Sequence, residues 1–246
     1  MTTISIGAVC ERFPEFRLAL VSTRDLTIRS GRSAELERMI EEAQAACRAE
    51  WRGVELSAIP GVAAWRAAYR GFGIKKTSYR SSVERLIKRV LAGGELPRVN
   101  NLVDLYNCVS LTSCLCLGAD DLDKISGDLA FRFARPGDTF VDMSAEQGED
   151  PNDPPKDGEV VYADSRHVLC RRWNWRQDAR TVVTPATERA VLTVQSNGFG
   201  EVESAAQTLI QMIATECGGR SSLVILDRLT PTREFERPLA RTRKCT

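Results

Sequence analysis

Nine consecutive residues, Cys170-Arg171-Arg172-Trp173-Asn174-Trp175-Arg176-Gln177-Asp178, hold three arginines, two tryptophans, an Asn, a Gln and an Asp. They follow a strand signal, Val168-Leu169-Cys170, and the strand is expected to run on to Trp173. Period-2 alternation then puts Arg171, Trp173 and Trp175 on one face and Arg172, Asn174 and Arg176 on the other. Charges and amides cannot enter an apolar core without partners. One reading is a strand with an aromatic core face and a solvated face. The reading preferred here is the wall of a cavity, where planar groups meet a polar ligand.

A second set of residues suits polyanions. The loop from Gly71 to Ser82 carries Lys75, Lys76 and Arg80. Ser81 and Glu84 form a capping-box pattern that opens a helix over Val83 to Leu91, with Arg85, Lys88 and Arg89 on its polar side. Such a face is either solvated or holds phosphates. A third set is amide and carboxyl. Asn107 lies among apolar neighbours in a helix expected over Leu102 to Leu115 and needs a partner if buried. Asp104, Asp120 and Asp121 are either cap and turn residues or receivers of a basic group.

The totals narrow the chemistry. With 246 residues and a formal net charge of +1, the chain is not a generally basic nucleic-acid binder, though a local basic patch is allowed. Eight cysteines include no C-x-x-C pair, and His167 is the only histidine. A zinc site or a Cys-His nucleophile is therefore not expected, and buried reduced thiols are. No metal and no cofactor are implied. No run approaches ~20 apolar residues, so no membrane span is expected. Met1 to Cys10 has neither a cationic start nor an apolar run, which points to a cytoplasmic chain.

The positioning elements read as strands at Ile4–Val9 and Phe16–Val21 and a long helix from Ser33 to Trp51. A helix over Val62–Tyr69 and the helices at 83–91 and 102–115 follow. Gly118 to Ile125 reads as a polar turn, and Leu129 to Phe133 as a strand. Glu159–Tyr162 and Val168–Trp173 make a hairpin, after an acidic loop at 144–158. A strand at Ala190–Gln195, a helix at Glu201–Cys217, a strand at Leu223–Leu226 and a frayed charged tail from Pro231 complete the chain. The pattern implies a single α+β domain over residues 1–246, with a mixed or antiparallel sheet and flanking helices.

Two segments carry a resemblance. One is Pro97-Arg-Val-Asn-Asn-Leu-Val-Asp-Leu-Tyr-Asn-Cys-Val-Ser-Leu, continuing from Gly118-Ala-Asp-Asp-Leu to Phe131-Arg-Phe-Ala. The other is Gly158-Glu-Val-Val-Tyr-Ala-Asp, continuing through Cys170-Arg-Arg-Trp-Asn-Trp-Arg-Gln. Together, over residues 70 to 215, they resemble the B3/B4 domain of the phenylalanyl-tRNA synthetase beta subunit in its free-standing form. The resemblance implies an aminoacyl-tRNA deacylase acting in trans on mischarged tRNA. Among free-standing members the chain looks like the type that clears canavanine from tRNA-Arg. It departs from the synthetase pattern in several places. The Thr-Asn pair of that pattern reads Tyr106-Asn107 here, the pocket His aligns with Gly118, and the pocket Glu falls near Thr193. A Gly-rich turn is replaced by Arg171 to Asn174. A different side chain must therefore be read.

An aminoacyl ester is already activated, so such an enzyme must place a water, hold the terminal adenosine and stabilise the oxyanion. On this reading Asn107, Asn174 and Arg171 are the catalytic candidates. Asp104, Gly118, Asp120, Arg172, Trp173, Trp175, Arg176 and Gln177 bind substrate, with a tryptophan stacking on adenine or side chain. Lys75, Lys76, Arg80 and Arg85 hold the tRNA. The partner is mischarged tRNA, and no obligate protein partner is implied. Two rivals stand beside this: a non-catalytic module binding tRNA or an amino acid, and an enzyme on a small amide or ester without nucleic acid.

Overall fold

The computed structural model describes residues 2–75, 78–146 and 148–236. Its frame is set by two nine-residue strands, β2 (Phe16–Arg24) and β8 (Arg189–Asn197), which pair antiparallel over their full length. Both are almost continuously buried, as strands covered on two faces must be. β3 (Cys116–Asp121) and β9 (Arg220–Leu226) complete a four-stranded sheet in the order β3-β8-β2-β9.

A second sheet contains β1 (Thr2–Ser5), β4 (Leu129–Phe133), β5 (Val160–Ala163), β6 (Val168–Arg171), β7 (Arg176–Gln177) and β10 (Thr232–Phe235). Its order is β10-β1-β4-β5-β6-β7, with β1 and β4 parallel and the other pairs antiparallel. The fold is α+β, with six α-helices among the described residues.

The helices begin where their caps dictate. Ser33 accepts from the Leu36 N–H at 3.0 Å to open α2 (Ala34–Trp51), after the one-turn α1 (Gly7–Cys10). α3 (Pro60–Gly71) has proline in its first turn. Ser81 caps α4 (Ser82–Leu91), and Asn100 caps α5 (Asn101–Ser113) through the Val103 N–H at 2.9 Å. α6 (Val202–Glu216) packs on β2, β8 and β9, while α5 packs on α2, α6 and β3. Gly61 lies so close to the end of α5 that a β-carbon there would come within 2.4 Å of the Cys114 carbonyl. No helix among the described residues is long and apolar enough to cross a membrane.

Four expectations are corrected. Residues 4–9 are not one strand, because β1 stops at Ser5 and α1 starts at Gly7. Gly118–Asp121 is not a turn but the end of β3, its acids held by Thr181 and Thr187 hydroxyls at 2.6 and 2.8 Å. The tail is not frayed through residue 235, since β10 pairs with β1. The strand expected to reach Trp173 ends at Arg171.

Candidate functional site

The end of β6 decides the site. Arg172 and Trp173 adopt left-handed backbone angles, with φ of 46° and 69°. The chain therefore turns over residues 172–175 and returns as β7, pairing Arg171 with Arg176 and Cys170 with Gln177. The turn is pinned from two sides. The Trp173 N–H donates to the Val160 carbonyl at 2.7 Å. On the α4 side, the Ser82 N–H donates to the Asn174 carbonyl at 3.1 Å and Arg85 donates to the Trp175 carbonyl at 2.9 Å. Ser82 is a first-turn residue of α4, whose N–H has no partner within the helix.

A cavity of about 590 Å³ opens between the sheets, with α4 and α5 as further walls. One wall is the cross-strand row Tyr162, Cys170 and Gln177 of β5, β6 and β7, continued by Asn174, Trp175 and Arg176. The facing wall is Gly118 and Asp120 of β3 with Thr193 and Gln195 of β8. Gly118 pairs with Thr193, and a β-carbon on it would meet only the Thr193 hydroxyl, at 3.9 Å. α5 contributes Tyr106 and Asn107. Arg80 and the α4 residues Arg85, Lys88 and Arg89 form a cationic side.

Inside, amides and hydroxyls are linked in series. The Tyr69 hydroxyl donates to Asn174 Oδ1 at 2.9 Å, Asn174 Nδ2 to Gln195 Oε1 at 3.3 Å, and Gln195 Nε2 to the Thr193 hydroxyl at 3.0 Å. A connected set of this kind holds its members in one geometry. The floor carries one carboxyl, Asp120. Its Oδ1 accepts from Thr181 at 2.6 Å and from Gln177 at 2.9 Å. Burial pushes its pKa up to about 7 against the pull of those two donors, and the charges of Asp178 and Asp164 add to the rise. The Cys170 thiol also lines the cavity, but burial raises its pKa far above the ordinary thiol value, so it supplies no thiolate nucleophile. Among the described residues no three His, Cys, Asp or Glu side chains gather as a metal-ligand set.

The nine-residue stretch divides at its turn. Asn174, Trp175, Arg176 and Gln177 line the cavity together with Asn107, Gly118, Asp120, Arg80 and Arg85. Arg171, Arg172 and Trp173 do not. Arg171 is fully buried, with its guanidinium on Glu159 at 2.8 and 3.1 Å and on Asp153. Arg172 is stacked between the Tyr79 and Trp175 rings, 3.9 and 4.3 Å from their centroids, and also meets Glu159 at 3.1 Å. Trp173 fills an aromatic cluster with Phe13, Phe16, Trp65 and Phe72, so it stacks on no ligand. Asp104 is buried against Arg32 at 2.6 Å and accepts from the Val99 N–H, which makes it a structural partner rather than a ligand group. Lys75 is exposed beside a separate small hollow with Arg70 and Tyr79, and Lys76 lies outside the described residues.

Some lining residues were not anticipated. Gln195 is a buried amide that follows the largely apolar run Ala190–Val194 in a central strand, and that mismatch was its signal. Tyr162 gave none, because a tyrosine in an apolar strand reads as core.

Residues 64–218, well over half of the chain, match the sequence profile of the B3/4 domain. The chain belongs to the B3/4 domain family. The matched span contains the whole cavity lining, from Arg80 to Gln195. Among solved structures, this B3/4 chain is similar to an N-terminal fragment of the phenylalanyl-tRNA synthetase beta subunit from Pyrococcus horikoshii. The two are 16% identical with a TM-score of 0.38, and the match covers 49% of this chain and 40% of that one. The B3/4 chain thus aligns with under half of the fragment's length. No curated protein matches the B3/4 chain.

Proposed function

We propose that this chain is a trans-editing deacylase that hydrolyses the ester of mischarged tRNA, with canavanyl-tRNA-Arg as its substrate. The observation that carries the reading is the polarity of the cavity: one carboxyl on its floor, neutral amides on its walls and cations at α4. That order suits a basic planar side chain inward, an ester between amides and a phosphodiester outward. Membership of the B3/4 family points the same way.

On this reading Asn107 and Asn174 orient water and donate to the carbonyl oxygen as negative charge develops on it. Water adds to the carbonyl carbon, the bond to the ribose oxygen breaks, and that oxygen leaves as a hydroxyl with the proton the water gives up. Asp120 and Gln177 receive the guanidinooxy group. Trp175 and Arg176 flank the terminal nucleoside, while Arg80, Arg85, Lys88 and Arg89 hold phosphates. Lys75 extends that contact toward the stem.

The test is deacylation of tRNA-Arg charged with canavanine or arginine and of tRNA-Phe charged with tyrosine. Rapid loss of canavanine with arginine spared is the expected result. Tight tRNA binding without loss of any amino acid would make the domain a binding module instead.

A further inference from the structure

Three of the buried polar atoms without a hydrogen-bond partner belong to residues that line the cavity: Arg80 Nε, Ser82 Oγ and Tyr162 Oη. Two of these have an evident neighbour. Arg80 Nε faces Glu84 Oε1 at 3.2 Å, and the Ser82 hydroxyl faces the Cys116 thiol. The Tyr162 hydroxyl has none among the described residues. A buried hydroxyl without a partner is costly, and native proteins hold few of them.

Tyr162 cannot easily turn away from this situation. Its ring stacks on Phe131, with centroids 4.7 Å apart and planes 18° from parallel, and it sits mid-strand in β5. Burial is the main cause that raises its pKa, and the charges of Asp120 and Asp164 add to the rise. Asp120 is itself half-used: both donors it receives, from Thr181 and Gln177, go to Oδ1. The cavity lining thus holds two uncommitted groups. One is the acceptor Asp120 Oδ2, and the other is a phenol whose proton lacks an acceptor.

We infer that Tyr162 is a specificity-determining residue, and that the floor selects a side-chain terminus which both donates and accepts hydrogen bonds. This rests on the deacylase reading and deepens it. A guanidinium has five N–H donors and no acceptor. It can satisfy Asp120 but leaves the Tyr162 proton unpaired in a closed site. A neutral guanidinooxy group carries N–H donors together with an ether oxygen and an imine nitrogen that accept. It satisfies both. Sites built around a buried polar group reject an analogue that leaves the group unpaired far more strongly than apolar sites reject a missing methylene. Arginine is spared on this account because it lacks an acceptor, although it is the stronger base.

The test uses Tyr162→Phe, which keeps the ring and its stacking on Phe131 and removes only the hydroxyl. Hydrolysis of canavanyl- and arginyl-tRNA-Arg is compared for the wild type and the variant, with calorimetry of free canavanine and arginine alongside. The expected result is a collapse of the canavanine-to-arginine rate ratio by about tenfold or more, with a parallel loss of selectivity in binding. A wild-type protein that clears canavanine while Tyr162→Phe keeps its ratio within twofold would overturn the inference and leave the deacylase reading standing. Equal clearance of arginine by the wild type would also overturn it. A wild type that neither hydrolyses nor selectively binds either compound would remove both.

Discussion

Residues 171–173 and residues 174–177 both carry Arg and Trp and have opposite fates. The first three go inward, into a Glu159–Arg171–Asp153 ion cluster, a cation–π stack and an aromatic cluster. The next four face the cavity. The divide is a backbone event, two consecutive left-handed residues, rather than a difference in side-chain chemistry. Arg and Trp serve both as scaffold and as site. The turn beside them decides which.

Removing one residue from each half should give opposite results. Arg171→Met leaves Glu159 buried without its bidentate partner and should destabilise the protein by about 3–5 kcal/mol, measured by chemical denaturation. Loss of activity without loss of stability would move Arg171 into the site. Asn174→Ala should do the reverse. It removes two hydrogen bonds, to Tyr69 and Gln195, for about 1–2 kcal/mol of stability. Turnover of canavanyl-tRNA-Arg should fall on the order of 100-fold.

Charge reversal tests the cationic side of the cavity. Arg85→Glu with Lys88→Glu should weaken tRNA binding and reduce the slope of log affinity against log salt by about 2. Lys75→Glu, beside its separate hollow, should reduce it less. Equal effects would mean that the stem crosses both places.

Stability should also depend on pH. Asp120 has its folded pKa raised to about 7 by burial, above the ordinary 3.8 of the unfolded chain. The folded state then holds a proton that the unfolded state has released. This contribution to stability is complete below about pH 4 and disappears as pH rises through 7. Asp120→Asn removes the slope, so its melting temperature should gain on the wild type between pH 5 and pH 8. A constant difference across that range would place the Asp120 titration elsewhere.

Much of the fold was legible because local signals agreed with the tertiary structure. Ser33 and Ser81 marked helix starts, and the β5–β6 hairpin and β8 followed their apolar runs. β3 was hidden because Gly118-Ala-Asp-Asp has turn composition, and only distant partners at Thr181 and Thr187 let the acids stay buried. β10 was hidden because a charged edge strand has no period to read. Within the site, Asn107, Asp120 and residues 174–177 could be named from their types. The turn at Arg172 and Trp173 could not, since neither is a residue that favours positive φ. Tyr162 was invisible for another reason: its role lies in a missing partner, and a missing partner is a property of three dimensions.

The Trp65 and Trp173 indoles stand 5.2 Å apart at 80° in the core, while Trp175 borders the cavity with Arg176 4.5 Å from its ring. The protein therefore carries two optical reporters on opposite sides of one turn. The inner pair should give an exciton couplet in circular dichroism that vanishes only on unfolding. The outer indole should change its emission when the cavity fills. Folding and occupancy can then be followed separately in the unlabelled chain.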